Sequence, residues 1–489
     1  KAVTKIEEED HVNLTPEQVL TICKGDKEIA SVVQFLLDQQ SARIRELEHR
    51  VHELERQLAS NSSNSSKPPS SDGLRKPTNL RTPGGKKGAP KGHRGTTLCQ
   101  VEHPDEVVVY PLHTCPDCQD SLADAKRKTL EKRQVFDLPP PRMFVTEHQV
   151  EKAYCSRCRC MQRATFPEHV KAPVQYGSGW TAWTVYLHAY QLLPLDRIAC
   201  LFNDLTGHRP SEASLLTMLE TSYDALQPVE QVLIDRLLGQ TIVHADETGC
   251  RVDGKTQWMH VISDERHTLL RFHPQRGSKA MDAHGFMPRY TGTVVHDCMQ
   301  GYFKERYTFD HALCNVHLLR ECKGIAEHDG HVWAQQMSDL LKESWQLANA
   351  SRQAGAPLCA AVILGLQARY DAILEAGQHE WAKDPVRQKT GTRGRKIKSK
   401  AGNLGERLLL HKTAILSFLW RPEIPFDNNQ AERDLRMVKV KQKISGAFRT
   451  VAGADIFARL RSVVSTLLKQ GHSVLPSLSL ALRGQPIPL

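Results

Sequence analysis

The chain has 489 residues, with 65 Lys and Arg against 55 Asp and Glu, for a formal net charge of +10. That length is roughly three domains' worth, and its 40% apolar and 25% charged residues fit a soluble chain with real cores. No run of eighteen apolar residues occurs, which argues against a membrane-spanning helix. The opening KAVTKIEEED has no apolar h-region, so no secretory leader is expected there.

Thirteen cysteines, an odd number scattered along the chain, do not resemble a secreted disulfide framework. Reduced thiols in a cytoplasmic compartment are the better expectation. The modest net charge conceals clustering. Gly73 to Leu98 holds seven Lys and Arg and no carboxylate, and Lys383 to Lys400 holds eight with one Asp. Such blocks meet polyanions or form solvated loops.

The first predicted element is a heptad helix. Val33, Leu37, Ile44, Leu47, Val51, Leu54 and Leu58 follow alternating three- and four-residue steps, interrupted by Gln40. Flanking Arg43, Arg45, Glu48 and Arg50 suit a short coiled coil, read as a dimerisation helix rather than one packed on its own chain. From Ser60 to about Leu98 the chain is rich in Ser, Pro and Gly and cannot bury enough apolar surface to fold alone. Its Lys86, Lys87, Lys91, His93 and Arg94 suit a phosphate backbone or a minor groove, or else belong to a plain tether.

Cys115-Pro-Asp-Cys118 and Cys155-Ser-Arg-Cys158 come next. Each pair places two thiolates on one tight turn, and four sulfurs satisfy one structural Zn²⁺. The 36 intervening residues exceed the usual ribbon spacing and include strand-like Val135–Leu138 and Phe144–Val150, which predict a hairpin between the knuckles. Cys160 and His113 are substitute ligands, and unligated or redox cysteines are the alternatives. Residues 177 to about 240 read as helical. A helix ending at Gly207 and another starting after Ser211 have the spacing of a helix-turn-helix, or of an ordinary helical hairpin.

From 240 the texture changes to short apolar strands. Thr241-Ile-Val-His-Ala-Asp246, Trp258–Ile262 and His267–Phe272 predict a meander with turns at Asp253-Gly254 and Ser263-Asp264-Glu265, and Gly292–Asp297 adds a fourth strand. Two strands thus end in Asp, whether as ligands of one divalent ion or as common turn chemistry. His311, Cys314, His317 and Arg320 are spaced by three on a predicted helix from Asp310. After a helical stretch from Val332 and the basic loop, Asp427 or Asn428 should cap a helix carrying Glu432, with Lys439, Lys441 and Lys443 following.

The combination SSNSSKPPSSDG, two CxxC pairs, HADETG, VVHD, CNVH and DNNQAERDLR resembles the IS66 family of bacterial insertion-sequence transposases, from about residue 30 to 480. The resemblance implies a DDE transposase with an RNase H-like core. It places the catalytic triad on Asp246, Asp297 and Glu432, and matches Cys314 and His317 to a Cys-x-x-His element read as structural support. It also implies small accessory proteins encoded beside the transposase, and a nucleoid-associated bacterial setting.

The chemistry agrees. Two Mg²⁺ (or Mn²⁺) ions about 3.5–4 Å apart can serve the attacking and leaving oxygens of a phosphodiester exchange, and three carboxylates suit such oxygen-seeking ions. Glu247 should point away from the metals by strand alternation, and Asp434 by helical rotation. Glu432 follows Asp297 by 135 positions, a span that requires an insertion at about 331–404. Arg393, Arg395, Lys396 and Lys398 of its basic loop are candidate contacts to DNA, namely terminal inverted repeats and target.

The expected class is multidomain α+β. It comprises a coiled-coil segment (1–60), basic linker (61–100), zinc-binding β domain (101–170), helical domain (171–240), core (241–330 and 405–470), helical insertion with basic loop (331–404) and tail (471–489), assembled as a homodimer or higher. The competing reading is a dimeric zinc-containing DNA-binding regulator with an inactive RNase H-like core.

Overall fold

A computed structural model describes residues 14–65, 98–126, 131–138, 141–384 and 398–487. The expected DNA contacts Lys86, Lys87, Lys91, Arg94, Arg393, Arg395 and Lys396 lie outside these residues. The chain forms two compact units, one of residues 1–76 with 223–489 and one of residues 77–222. Among the described residues no helix is long and apolar enough to cross a membrane.

The larger unit begins with α1 (Pro16–Ile22) and α2 (Lys27–Ala59). Thr15 and Gln18 form a reciprocal capping box on α1, and Asp26 accepts the amides of Glu28 and Ile29 to start α2. The heptad seam of α2 stays bare in the single chain, from Ile44 at 41% exposure to Leu58 at 78%. Its N-terminal end packs on α1, where Val19 and Ala30 are buried, and its C-terminal end is anchored further along the chain. Arg56 pairs with Asp329 at 3.1 Å, and Asn64 lies against Gly324, where any side chain would strike its carbonyl.

In the smaller unit, β1 (Lys152–Cys155) and β2 (Cys160–Arg163) form an antiparallel hairpin around the second cysteine knuckle. The expected hairpin of Val135–Leu138 and Phe144–Val150 does not form. Those segments are unpaired, with Val135 at 90% exposure, so the apolar runs lack the facing sheet that would make them strands. α3 (Ser178–Val185) runs into a π-helical turn at Tyr186–Tyr190 and is followed by α4 (Leu195–Thr206). Gly207, at φ 72°, ends α4, and Ser211 Oγ accepts the Ser214 amide at 3.0 Å to start α5 (Glu212–Ala225). Ile198, Phe202, Leu215 and Met218 pack these helices together.

The centre of the larger unit is a five-stranded sheet in the order β5-β4-β3-β6-β7. α6 (Gln227–Leu238) leads into β3 (Ile242–Val252), β4 (Lys255–Ser263) and β5 (Thr268–His273), an antiparallel meander. Asp253 and Gly254, at φ 47° and 68°, make the two-residue turn between β3 and β4. Asp264 accepts the His267 amide to form the next turn. After α7 (Ser278–His284), β6 (Thr293–His296) and β7 (Asp310–Leu313) join in parallel. Asp310–Leu313 is therefore strand, not the helix expected from the three-residue spacing. Its Ala312 and Leu313 are wanted in the sheet core, and the helix α8 (Asn315–Asp329) starts only after Cys314.

Alternation divides the sheet's faces. Val243, Ala245 and Val294 pack with Leu237 of α6 and with Met281, Phe286 and Tyr302 on one face. Val295 and Ala312 pack on the other, joined by Leu313 at the end of β7, with α8, α9 (Val332–Gln353), α10 (Ala360–Trp381), α11 (Lys400–Leu410) and α12 (Lys412–Leu416). Trp381 sits against Gly405 so closely that a methyl group there would overlap its ring. The chain returns through α13 (Asn429–Ser445), α14 (Val451–Lys469) and α15 (Val474–Ala481). α14 covers edge strand β5: Thr466 and Ser462 hydroxyls accept the Thr268 and Leu270 amides at 3.1 and 2.7 Å. Hydroxyls thereby satisfy an edge that would otherwise be open to pairing.

Candidate active site

Asp246 lies in mid-strand, since β3 runs six residues further than the expected strand end at Asp246. What ends near it is the pairing with β6, at His244 opposite Val295. Counted on in register, Asp246 stands opposite Asp297, which follows the last residue of β6, and adjacent strands lie about 4.8 Å apart. By alternation both side chains belong to the face carrying α8 and α9. Asp297 begins a tight turn. Cys298 adopts φ 68°, uncommon for a residue with a side chain, and its amide donates to His296 Nδ1 at 3.2 Å. His296 is buried, stacks on Tyr302 and is held neutral by its burial and by neighbouring His311.

Glu432 comes from α13, and Asn428 sets where that helix starts. Asn428 donates from Nδ2 to the Ala245 carbonyl at 2.9 Å and accepts from His244 Nδ1 at 2.8 Å. Its own amide donates to Cys314 Sγ at 3.2 Å. Asn428 is thus the helix's first flanking residue, but its side chain ties the helix to β3 instead of capping it. Asp427 accepts the Asn429 amide at 3.0 Å, as a turn residue. Asp434 turns away to Lys469 at 2.7 Å, as expected from its helical rotation.

The acids sense one another. Burial first, then Asp297, Glu247 and Glu432, hold Asp246 well above the usual carboxylate range. Glu432 Oε1 is buried with no hydrogen-bond partner among the described residues, and His317 Nε2 stands 3.6 Å from it. One ligand atom each of Cys314, His317 and Glu432 lie within 4.8 Å of one another. Burial pushes the Cys314 thiol up to about 12, so it sits there neutral.

Glu247 points to the opposite face, as alternation requires, yet belongs to the same electrostatic unit. Its side chain is fully buried; Tyr302 donates to it at 2.5 Å and Arg276 Nε at 3.2 Å. Burial, with Asp297 nearby, raises its pKa to about 7. Arg276 also approaches Asp297 at 3.5 Å and lies over the Trp258 ring. The sequence reading missed Arg276, Tyr302 and the anchoring role of Asn428. The signal was slight: an Arg-Gly pair at a strand end, a lone Tyr, and an Asn hidden among cap-like neighbours.

The expected DNA contacts downstream divide. Lys441 is buried at 6% exposure over the rings of Phe448 and Phe457, and burial lowers its pKa to about 8. Lys439 donates to the Gly249 carbonyl. Both therefore face inward, against the expectation of phosphate contacts, because α13 lays that stripe on the sheet. Lys443 is exposed, and Lys398 is paired with Glu406.

In the smaller unit, the Cys158 amide donates to Cys155 Sγ at 3.5 Å. Backbone amides of Cys118 and Asp117 lower the Cys115 thiol pKa, as those of Cys158 and Arg157 lower that of Cys155. Both turns thus favour the thiolate form that zinc binds. Among the described residues the sole group of three or more donors with ligand atoms within 4.8 Å of one another is Cys314, His317 and Glu432, so neither the two knuckles nor Asp246, Asp297 and Glu432 are drawn that closely together here.

Comparison with known families follows the same division. Residues 113–159 match the zinc-finger binding domain of transposase IS66, and residues 17–98 match a family of unknown function. No curated protein matches the chain. Residues 173–456, more than half the chain and including both strands and the helix that carry the acids, match the Transposase IS66 family. The chain therefore belongs to the IS66 family of transposases and carries that family's zinc-finger domain.

Proposed function

We propose that this chain is a DDE transposase that binds the ends of an insertion sequence, cuts them and joins them to target DNA. The supporting observation is that Asp297 and Glu432, from the neighbouring strand end and a helix, lie near enough to Asp246 to help hold its carboxyl well above the usual range. A meander of three antiparallel strands continued by two parallel ones agrees with an RNase H-like core.

The three carboxylates would hold two Mg²⁺ or Mn²⁺ ions. Such ions, when bound, activate the attacking oxygen and stabilise the leaving one. The chain's own residues supply the frame. Asn428 fixes α13 against β3, His296 holds the turn presenting Asp297, and the Glu247–Arg276–Tyr302 group steadies that turn from behind. No Ser or Tyr nucleophile is required, since water attacks first and a DNA 3′-hydroxyl second.

Cys115, Cys118, Cys155 and Cys158 are the ligands we assign to one structural Zn²⁺, and the bare seam of α2 to self-association. The basic linker, the basic loop and Lys443 are the assigned phosphate contacts. The test is cleavage of terminal-inverted-repeat DNA in Mg²⁺. Wild type should cut and produce strand-transfer product, while Asp246→Asn should bind the same DNA and leave it intact. Binding by wild type without cutting would replace this reading with that of a zinc-containing regulator.

A further inference from the structure

Glu432 lies between two donor sets of opposite character. Toward β3 and β6 are the carboxylates of Asp246 and Asp297. Toward α8 are Cys314, which caps the helix, and His317, within its first turn. The donor atoms of Cys314, His317 and Glu432 lie within 4.8 Å of one another. His317 Nε2 and Glu432 Oε1, at 3.6 Å, are too far apart for a hydrogen bond. His317 Nδ1 and Glu432 Oε1 are both buried without hydrogen-bond partners among the described residues, an arrangement that ordinarily needs an explanation. The Asn428 amide donates to Cys314 Sγ, and the Asn428 side chain binds β3, so the start of Glu432's helix is tied directly to Cys314.

Sulfur and imidazole select Zn²⁺ or Cd²⁺ over Mg²⁺, which seeks oxygen in an octahedral shell. One Cys, one His and one carboxylate are three ligands of a tetrahedral zinc site, with water as the fourth. We propose that Cys314, His317 and Glu432 form a regulatory site for a thiophilic divalent cation. Its occupation withdraws Glu432 from the oxygen-only set and silences DNA cleavage. The silencing rests on the reading of Glu432 as a catalytic carboxylate. As the ion binds, the Cys314 thiol gives its proton to solvent. Because the two kinds of ion share one carboxylate, Zn²⁺ inhibition should be relieved by more Mg²⁺.

The test uses the full chain with its cysteine knuckles already loaded with zinc and excess metal removed. Co²⁺ is the probe, read by its thiolate charge-transfer absorption. Wild type should take up one more equivalent with that band than Cys314→Ser or His317→Asn, two variants that check each other should either fold poorly. In cleavage assays, scaled to each protein's rate without added Zn²⁺, both variants should need at least ten-fold more added Zn²⁺ for half inhibition. Equal Co²⁺ uptake by wild type and both variants would overturn the site. An extra equivalent bound with unchanged Zn²⁺ sensitivity would overturn the silencing. An extra equivalent in a chain that never cuts DNA would instead sink the catalytic reading, with the Co²⁺ result standing apart from it.

Discussion

Glu247 carries a measurable consequence of crowding acids into one buried place. Its pKa is raised from 4.5 to about 7, chiefly by burial. A raised carboxyl pKa means that the folded state holds the proton more tightly than the unfolded one. The stabilisation is complete below about pH 4.5 and is lost as pH rises through about 7. The shift corresponds to roughly 3 kcal/mol. Metal-free protein should therefore lose stability between pH 5 and 8 in urea unfolding, and Glu247→Gln should flatten much of that slope. An unchanged slope in the variant would count against the burial account. Arg276→Gln should cost about 1–3 kcal/mol at pH 8, where Glu247 is charged and loses a charged partner, and less at pH 6. The same reasoning explains what the sequence concealed. Strand alternation correctly turned Glu247 away from Asp246, but alternation says nothing about through-space coupling to Asp297, nor that Arg276 would arrive from the loop after β5.

At the scale of elements, strands β3 to β6 and the hairpin turn at Asp253-Gly254 were legible, since each rests on local periodicity or turn chemistry. Helix α8 was misplaced upstream because a three-residue spacing of His311 and Cys314 looks helical, whereas membership of a sheet is a tertiary fact. The inward-facing Lys441 was illegible for a related reason: charge suggests the surface, and only the docking of α13 shows the aromatic rings beneath it. The β5 edge was not readable either, because its amides are satisfied by Ser462 and Thr466, nearly two hundred residues away. Thr466→Val should leave the Thr268 amide buried and unpaired at a cost of about 1–3 kcal/mol, with faster hydrogen exchange at that amide. Asn428→Ala should detach the start of α13 from β3 and lower the cleavage rate with DNA affinity kept. A variant that cuts normally would deny Asn428 its anchoring role.

For the whole molecule, the sequence motifs carried the family and the order of parts, whereas the assembly depends on surfaces that meet only between chains. The seam of α2 exposes Leu47, Val51, Leu54 and Leu58 along one side of a 33-residue helix. Removing residues 30–58 should shift sedimentation toward the monomer. Cys115→Ser should lose about one equivalent of Zn²⁺ per chain. If the basic segments contact phosphates, DNA affinity should fall steeply with salt, and a flat response would remove them from the interface. The central claim is that Asp246, Asp297 and Glu432 together hold a pair of divalent ions on DNA. Counting Mn²⁺ by electron paramagnetic resonance on the full chain bound to end DNA tests it most directly. Two ions per wild-type chain are expected beyond those bound by the DNA alone, with at least one lost in each of Asp246→Asn, Asp297→Asn and Glu432→Gln. Retention of both ions in any one of the three would contradict the assignment.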